Sequence, residues 1–420
     1  MAQGLKRQLG LGDGTVFALS SVVGSGILFL PSLVYALAGR DSLVVWLGAG
    51  ALALPLLLIM NDMVKRVSDG SGIAGFIALG LGDFAASSVP WLLLAIMFCG
   101  GSGSAYVAGR FIEVAFGGGQ ARLFAVAFAI AIAATAIPAL GFSIGRRIQS
   151  AITWCTIGFA LAVLLLSWNE ASSRSIDPVV PALGELRPIL LGIVAAFFAF
   201  VGLENLTFIA GEFRHPERDF LTASVIAFSL YLVLLLALTL AFGVLTAQPG
   251  AVDPTSGLVG LSVGVGPGLA RICALFGVFA VLSNLTSWVW GMSRMVYRAA
   301  QVGQLPRSLA PPSIAGVPRR AVLFAGAPYL LGVVALLARP AWTVTFLVFT
   351  GAMGSMLYLL ALVSYMRITQ SALWRLIAGL LVVIIAVSLS GVGLPIAAPL
   401  AVAACAYATA AVRRRRLAGP

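Results

Sequence analysis

The residues best suited to chemistry sit where a membrane segment should be featureless. Gly24-Ser25-Gly26-Ile27-Leu28-Phe29-Leu30-Pro31 lies inside an apolar run from Val16 to Leu37. Glycine costs a helix interior about 1 kcal/mol relative to alanine. A later apolar run reads Phe197-Phe198-Ala199-Phe200-Val201-Gly202-Leu203-Glu204-Asn205-Leu206. Unwinding a helix at mid-membrane frees backbone groups that must face protein or a polar cavity. Freed N–H groups at a half-helix N-terminus suit a carboxylate. Freed carbonyls at a half-helix C-terminus suit an ammonium group. One break of each kind, face to face, fits a zwitterion such as an α-amino acid. On this reading Gly24, Ser25 and Gly26 hold the carboxylate, with Ser25 Oγ as an extra donor, and Gly202 marks the second break. The competing reading is a packing face, because Gly-x-Gly also lets helices approach closely.

Glu204 is the only carboxylate deep in an apolar run. A charge at that depth is costly, which marks a functional group. Burial raises a carboxyl pKa, so Glu204 is the candidate proton carrier, against a structural role tying helices together. Ser102, Ser104, Ser283, Asn284 and Thr286 either line a cavity or make interhelical hydrogen bonds. Trp288 and Trp290 either wall the cavity or pack. The segment Glu212 to Asp219 mixes both charge signs and is a solvated loop or an ionic latch. His215, the one histidine, lies in that loop, and no metal set is expected. Cys99, Cys155, Cys273 and Cys405 form no CxxC pair and read as buried, inert thiols. No GxxxxGK[ST] loop occurs, which argues against ATP-driven chemistry. No cofactor is expected.

These residues must be positioned by membrane helices. The 420 residues are 60% hydrophobic and 10% charged, with a mean hydropathy of +1.06. The apolar runs are about 20 residues long, enough to cross a hydrocarbon core of about 30 Å. The fold class is an all-α polytopic membrane protein with about twelve spans: 13–39, 43–61, 88–109, 121–142, 147–168, 188–210, 220–246, 268–298, 320–338, 342–366, 373–390 and 393–411. Residues 70–80 are too short and glycine-rich to span, and read as a half-inserted segment or a loop. Seven basic residues (Arg40, Arg110, Arg122, Arg174, Arg187, Arg271 and Arg339) fall on one side of this layout, and the other 19 of the 26 on the opposite side. That bias places both termini in the cytoplasm. The net charge of +12 is therefore a topology signal and not a nucleic-acid footprint, and the Arg413–Arg416 run meets anionic lipid headgroups. Two interrupted spans five apart in span order point to a transporter with two structural halves. A channel would need repeated filters or charged rings, and a membrane enzyme clustered His, Asp or Ser.

Three pieces carry a family resemblance: GSGILFLP, the string FVGLENLTFIAGEFRHPERDF from Phe200 to Phe220, and AAQVGQLP from Ala299 to Pro306. Here the sequence resembles the amino acid–polyamine–organocation superfamily, most closely its bacterial branch exporting methionine and branched-chain amino acids. The resemblance implies a leucine-transporter-like fold of two inverted five-span repeats plus two accessory helices. Residues 1–368 would form the transport core, with spans 1 and 6 broken, and residues 369–420 the accessory spans and basic tail. It implies carboxylate binding at Gly24, Ser25 and Gly26, amine binding at main-chain carbonyls near Phe198 and Val201, aromatic gates at Phe198 and Trp288, and pH-dependent gating at Glu204. The lysine that some members carry in the fifth span is missing from Ile148–Leu166. Apolar neighbours such as Ile27, Phe198, Phe200 and Trp288, with no second intramembrane charge, suit Leu, Ile, Val or Met. The expected partners are a neutral amino acid, protons and lipids, at the inner membrane, as a monomer or homodimer. Export coupled to protons leads; exchange or uptake on the same fold is the alternative.

Overall fold

In hydrocarbon every backbone N–H and C=O needs a partner within the chain, and a helix supplies it residue by residue. The computed structural model of the chain accordingly is almost entirely helical. It describes residues 10–67, 72–141, 146–172, 180–202, 207, 213–246, 253–310, 318–393 and 400–408 save 403 and 406. Helix α1 (Leu11–Ala38) is joined by a short 3-10 turn to α2 (Ser42–Arg66). Next come α3 (Gly72–Ala86), α4 (Val89–Ile96), a π-turn (Met97–Gly101) and α5 (Ser102–Phe116). Helices α6 (Gly119–Ala139), α7 (Arg146–Ser172) and α8 (Leu186–Phe197) follow. The remainder comprises α9 (Pro216–Thr246), α10 (Gly257–Val265), α11 (Pro267–Gln301), α12 (Arg319–Ala338), α13 (Thr343–Ile368) and α14 (Ala372–Ser390). Among the described residues, 8 helical stretches are long and apolar enough to cross a bilayer, one of them the joined run Gly26–Arg66.

Lipid is as apolar as leucine, so close fit and buried polar ties hold these helices together, not the exclusion of water. The most extensive packing is α1 against α9. Trp46 Nε1 donates to Thr239 Oγ1 at 2.7 Å, tying α2 to α9. Gly351 of α13 lies against the carbonyl of Val194 in α8, so close that a Cβ there would overlap it.

Residues 72–86 are helical on both sides of a kink at Gly82 (φ +83°), pack against α13, and are not a loop. Ser364 Oγ accepts from Gly80 N at 3.1 Å and donates to the Phe76 carbonyl at 2.6 Å, so one hydroxyl clamps α3 to α13. Two of the four cysteines depart from expectation. Cys99 and Cys273 are buried, but Cys155 and Cys405 are exposed on outward helix faces. In the segment 212–219, the described buried residues are Phe213, which packs edge-on to Phe220 and against Gly14 of α1, and Asp219.

The side carrying Arg40 and Arg110 is fastened by carboxylates. Asp41 accepts from the N–H groups of Ala182 and Leu183 at 2.8 and 2.9 Å, which holds Leu183 at φ +50°. Asp253, just before α10, accepts from Arg110 Nε and Nη2 at 3.0 and 2.9 Å, and Arg110 also pairs with Glu113. Asp253 Oδ1 accepts from Thr255 N and Oγ1. Partial burial works to raise the Asp253 pKa, but the bonds from Thr255 and Arg110 outweigh it and hold it below the ordinary carboxylate value. A depressed folded-state pKa contributes stability that is present above the ordinary value and lost as pH falls through the depressed one. Asp253→Asn should therefore lower the thermal midpoint at neutral pH and flatten its fall on acidification; a wild-type acid profile in the variant would exclude this tie.

Candidate functional site

Helix α8 ends where its sequence stops favouring a helix. Phe198–Phe200 tighten into a 3-10 turn, Val201 is extended (φ −66°, ψ 115°), and Gly202 has φ +131°. A side chain at such a φ would clash, so glycine turns the chain out. The break expected in the sixth run is present. Its backbone is partly re-bonded locally: Val201 N–H is shared between the carbonyls of Phe197 and Phe198 at 3.1 and 3.2 Å. Tyr358 OH of α13 donates to the Phe200 carbonyl at 3.1 Å.

The first run differs from expectation. Helix α1 passes through Gly24-Ser25-Gly26 without interruption. Two glycines cost about 1 kcal/mol each, which the long contact with α9 outweighs. A weak point remains at Pro31, inside α1, which has no N–H to give the Ile27 carbonyl. The Ser25 side chain and the whole of Glu204 lie outside the described residues.

A cavity lies between α1, the α8 break, the α4–α5 turn and α11. Gly26, Phe198, Val201, Ser104, Asn284 and Trp288 line one part of it. Ile96, Met97, Gly100, Gly101, Leu285 and Tyr329 line the rest. None of these carries a charge. The space open to the centre of a water-sized molecule is about 20 Å³, against the ~10–15 Å³ that a single water needs. The cavity is contracted, and an amino acid would require the walls to part.

Four sequence candidates thus meet: Gly26, Phe198, Val201 and Trp288. Ser104 and Asn284 join them. Ile27 does not, being fully buried in the core, and Gly202 turns the chain without reaching the lining. Ser102 donates to the carbonyls of Phe98 and Cys99, and Thr286 to that of Leu282 at 2.7 Å, all within their own helical segments. Ser283 is buried outside the lining, and Trp290 lies beneath the Arg294 guanidinium at 4.3 Å. The aromatic pair Phe29–Phe198, 5.8 Å between ring centres, links α1 to the break. The wall contributed by the π-turn and Tyr329 was not foreseen. The adjacent Gly100-Gly101 was its one local signal; π-turns inside α-helices gather at functional sites.

Gly26 has a second role. Its missing Cβ leaves room for the hydroxyl of Tyr231 on α9. Tyr231 is fully buried and its hydroxyl has no hydrogen-bond partner among the described residues.

A family model described as amino acid permease matches residues 9–408. The chain is 25% identical over 301 residues to the L-methionine/branched-chain amino acid exporter YjeH of Escherichia coli (strain K12), covering 71% of each chain. It is 24% identical over 330 residues to the branched-chain amino acid permease BcaP of Bacillus subtilis (strain 168), covering 73% of this chain and 70% of that one. Among solved structures, MhsT in complex with L-phenylalanine matches with a TM-score of 0.65 at 17% identity, over 93% of this chain and 100% of that one. The fold is therefore leucine-transporter-like.

The Gly26–Tyr231 contact yields a steric test. Gly26→Ala should overpack the site by about 1–3 kcal/mol, read as a lower thermal midpoint of the purified protein. Adding Tyr231→Phe removes the atom that the new methyl meets and should recover most of the loss. A double variant no better than Gly26→Ala would place the strain elsewhere.

Proposed function

Because the chain belongs to the amino acid permease family, we propose that this amino acid transporter exports neutral apolar amino acids, coupled to proton entry. The substrates are leucine, isoleucine, valine and methionine, carried by alternating access across the inner membrane with both termini cytoplasmic. The observation that carries the substrate class is the cavity wall, where Ile96, Met97, Phe198, Leu285 and Trp288 converge and, among the described residues, none that lines it is charged. Such a wall offers nothing to a cationic or acidic side chain and accepts a range of aliphatic ones. A methylene more or less changes selectivity by only about 1–3 kcal/mol, so the accepted set is broad. The names of two relatives, a methionine/branched-chain exporter and a branched-chain permease, support the same class.

In this reading the amine meets carbonyls of the α8 break near Phe198 and Val201. The carboxylate meets Gly24, Ser25 and Gly26. Those N–H groups now belong to the continuous helix α1, so substrate entry must open it locally. The two glycines and Pro31 lower the cost of doing so. Residues 1–368 form the moving core, and 369–420 the accessory part.

Glu204 supplies the coupling. An intramembrane carboxyl beside the break gives up its proton when it meets the aqueous side of higher pH, and this biases the gates. Directionality is what separates export from exchange, so the decisive experiment is flux. Purified protein in liposomes loaded with labelled leucine or methionine should show saturable efflux that accelerates under an inward proton gradient. Glu204→Gln should flatten the pH dependence of that efflux. Efflux indifferent to the proton gradient but dependent on external amino acid would establish an exchanger instead. Separately, Ser25→Trp should abolish flux while leaving folded protein in the membrane, and normal flux in that variant would remove the carboxylate assignment.

A further inference from the structure

The wall opposite in character to the α8 break is built in an unusual way. Tyr329 belongs to α12, which packs behind α5, α6 and α11. It nevertheless lines the central cavity, alongside the π-turn Met97–Gly101. The turn's composition explains how. A Cβ on Gly101 would overlap the Tyr329 ring, and one on Gly100 would overlap Thr350 of α13. The missing Cβ of Gly101, within the π-turn, thus leaves room for the Tyr329 ring to reach the cavity past the third span, while Gly100 makes room for Thr350.

The ring is held at both ends. It is 1% exposed. Its hydroxyl donates to the Leu285 carbonyl of α11 at 3.3 Å, a buried bond. Leu285 lines the cavity too, and its neighbour Asn284 stands beside it. A buried phenol with a partner is fixed in orientation, where a phenylalanine in the same slot would lack that tie. Ile96, Met97 and Leu285 share this wall with the ring.

We propose that Tyr329 sets the upper size limit for the substrate side chain. That side chain points toward the wall formed by the π-turn and Leu285, and the Tyr329 ring closes that end of the cavity. The proposal rests on the reading of this cavity as an amino-acid site. Removing the ring should leave an apolar void on the order of the ~150 Å³ space that accepts a benzene molecule. That void would take an aromatic side chain.

The test is competition between leucine and phenylalanine for flux in liposomes, measured as the ratio of kcat/KM values. Tyr329→Ala should shift that ratio toward phenylalanine by about tenfold or more, the scale set by burying a few extra carbons in an apolar pocket. Tyr329→Phe retains the ring and should keep the wild-type preference. Tyr329→Leu, which removes less volume, should shift the ratio in the same direction and carries the test if the alanine variant does not fold. A loss of flux in which leucine and phenylalanine fall equally would make Tyr329 a structural residue and overturn the proposal. Wild-type protein that moves neither amino acid would fail the underlying reading, and the proposal with it. Wild-type leucine flux with an unshifted ratio in Tyr329→Ala would overturn the assignment of Tyr329 alone.

Discussion

An unpaired backbone group in hydrocarbon costs several kcal/mol, and this constraint shapes everything around residue 198. Helix α8 stops at Phe197 in the middle of an apolar run. Each group that the stop releases has to be met. Val201 N–H turns back on the carbonyls of Phe197 and Phe198, and Tyr358 reaches from α13 to the Phe200 carbonyl. For Tyr358 to reach, α13 must lie close to α8, and Gly351 is where it does. The break is therefore not a local accident of Gly202. It is sustained by a neighbouring helix whose own sequence leaves out side chains to permit the approach.

The same economy of side chains recurs wherever the cavity is bounded. Gly26 gives way to the Tyr231 hydroxyl, Gly100 to Thr350 and Gly101 to the Tyr329 ring. In each case the missing atoms of one helix are replaced by a side chain from another. In lipid, where apolar surface gains little by pairing, such close fit is the main source of helix affinity. It also makes the cavity wall a joint product of α1, α4, the π-turn, α5, the α8 break, α11 and α12, with α9 and α13 packed behind Gly26 and Gly100. A change in any one of those contacts alters the shape available to a substrate.

What could be read from the sequence follows from how local each signal is. Membrane class, the helical fold and the break at Gly202 are written in runs and single residues, and the structure carries them. That Gly26, Phe198, Val201 and Trp288 line one cavity was legible, because two interrupted apolar runs and a family likeness pointed at the same place. The break at Gly24-Ser25-Gly26 was over-read: glycine lowers the cost of unwinding but does not compel it, and the packing of α1 on α9 decides the outcome. Tyr329 was beyond reach, because nothing in its own helix distinguishes it. Its importance comes from two glycines some 230 positions earlier in the chain, Gly100 and Gly101. Residues 72–80 were ambiguous for a related reason, since their helix is fixed by Ser364, far along the chain.

A contracted cavity in a transporter fold raises the question of which contacts yield. Ties that would resist opening are distributed unevenly. On one side Arg110 and Asp253 bridge the end of α5 to the start of α10, and Ser32 Oγ donates to the Pro254 carbonyl at 3.2 Å. Gly257, at φ +52°, lets α10 lie directly on the backbone of Leu28 and Phe29 in α1. On α1 itself, Pro31 leaves the Ile27 carbonyl without its intrahelical donor, next to that contact. The stretch of α1 easiest to unwind is thus the stretch roofed by α10. Any movement of α10 therefore bears directly on the backbone of α1 that Pro31 weakens.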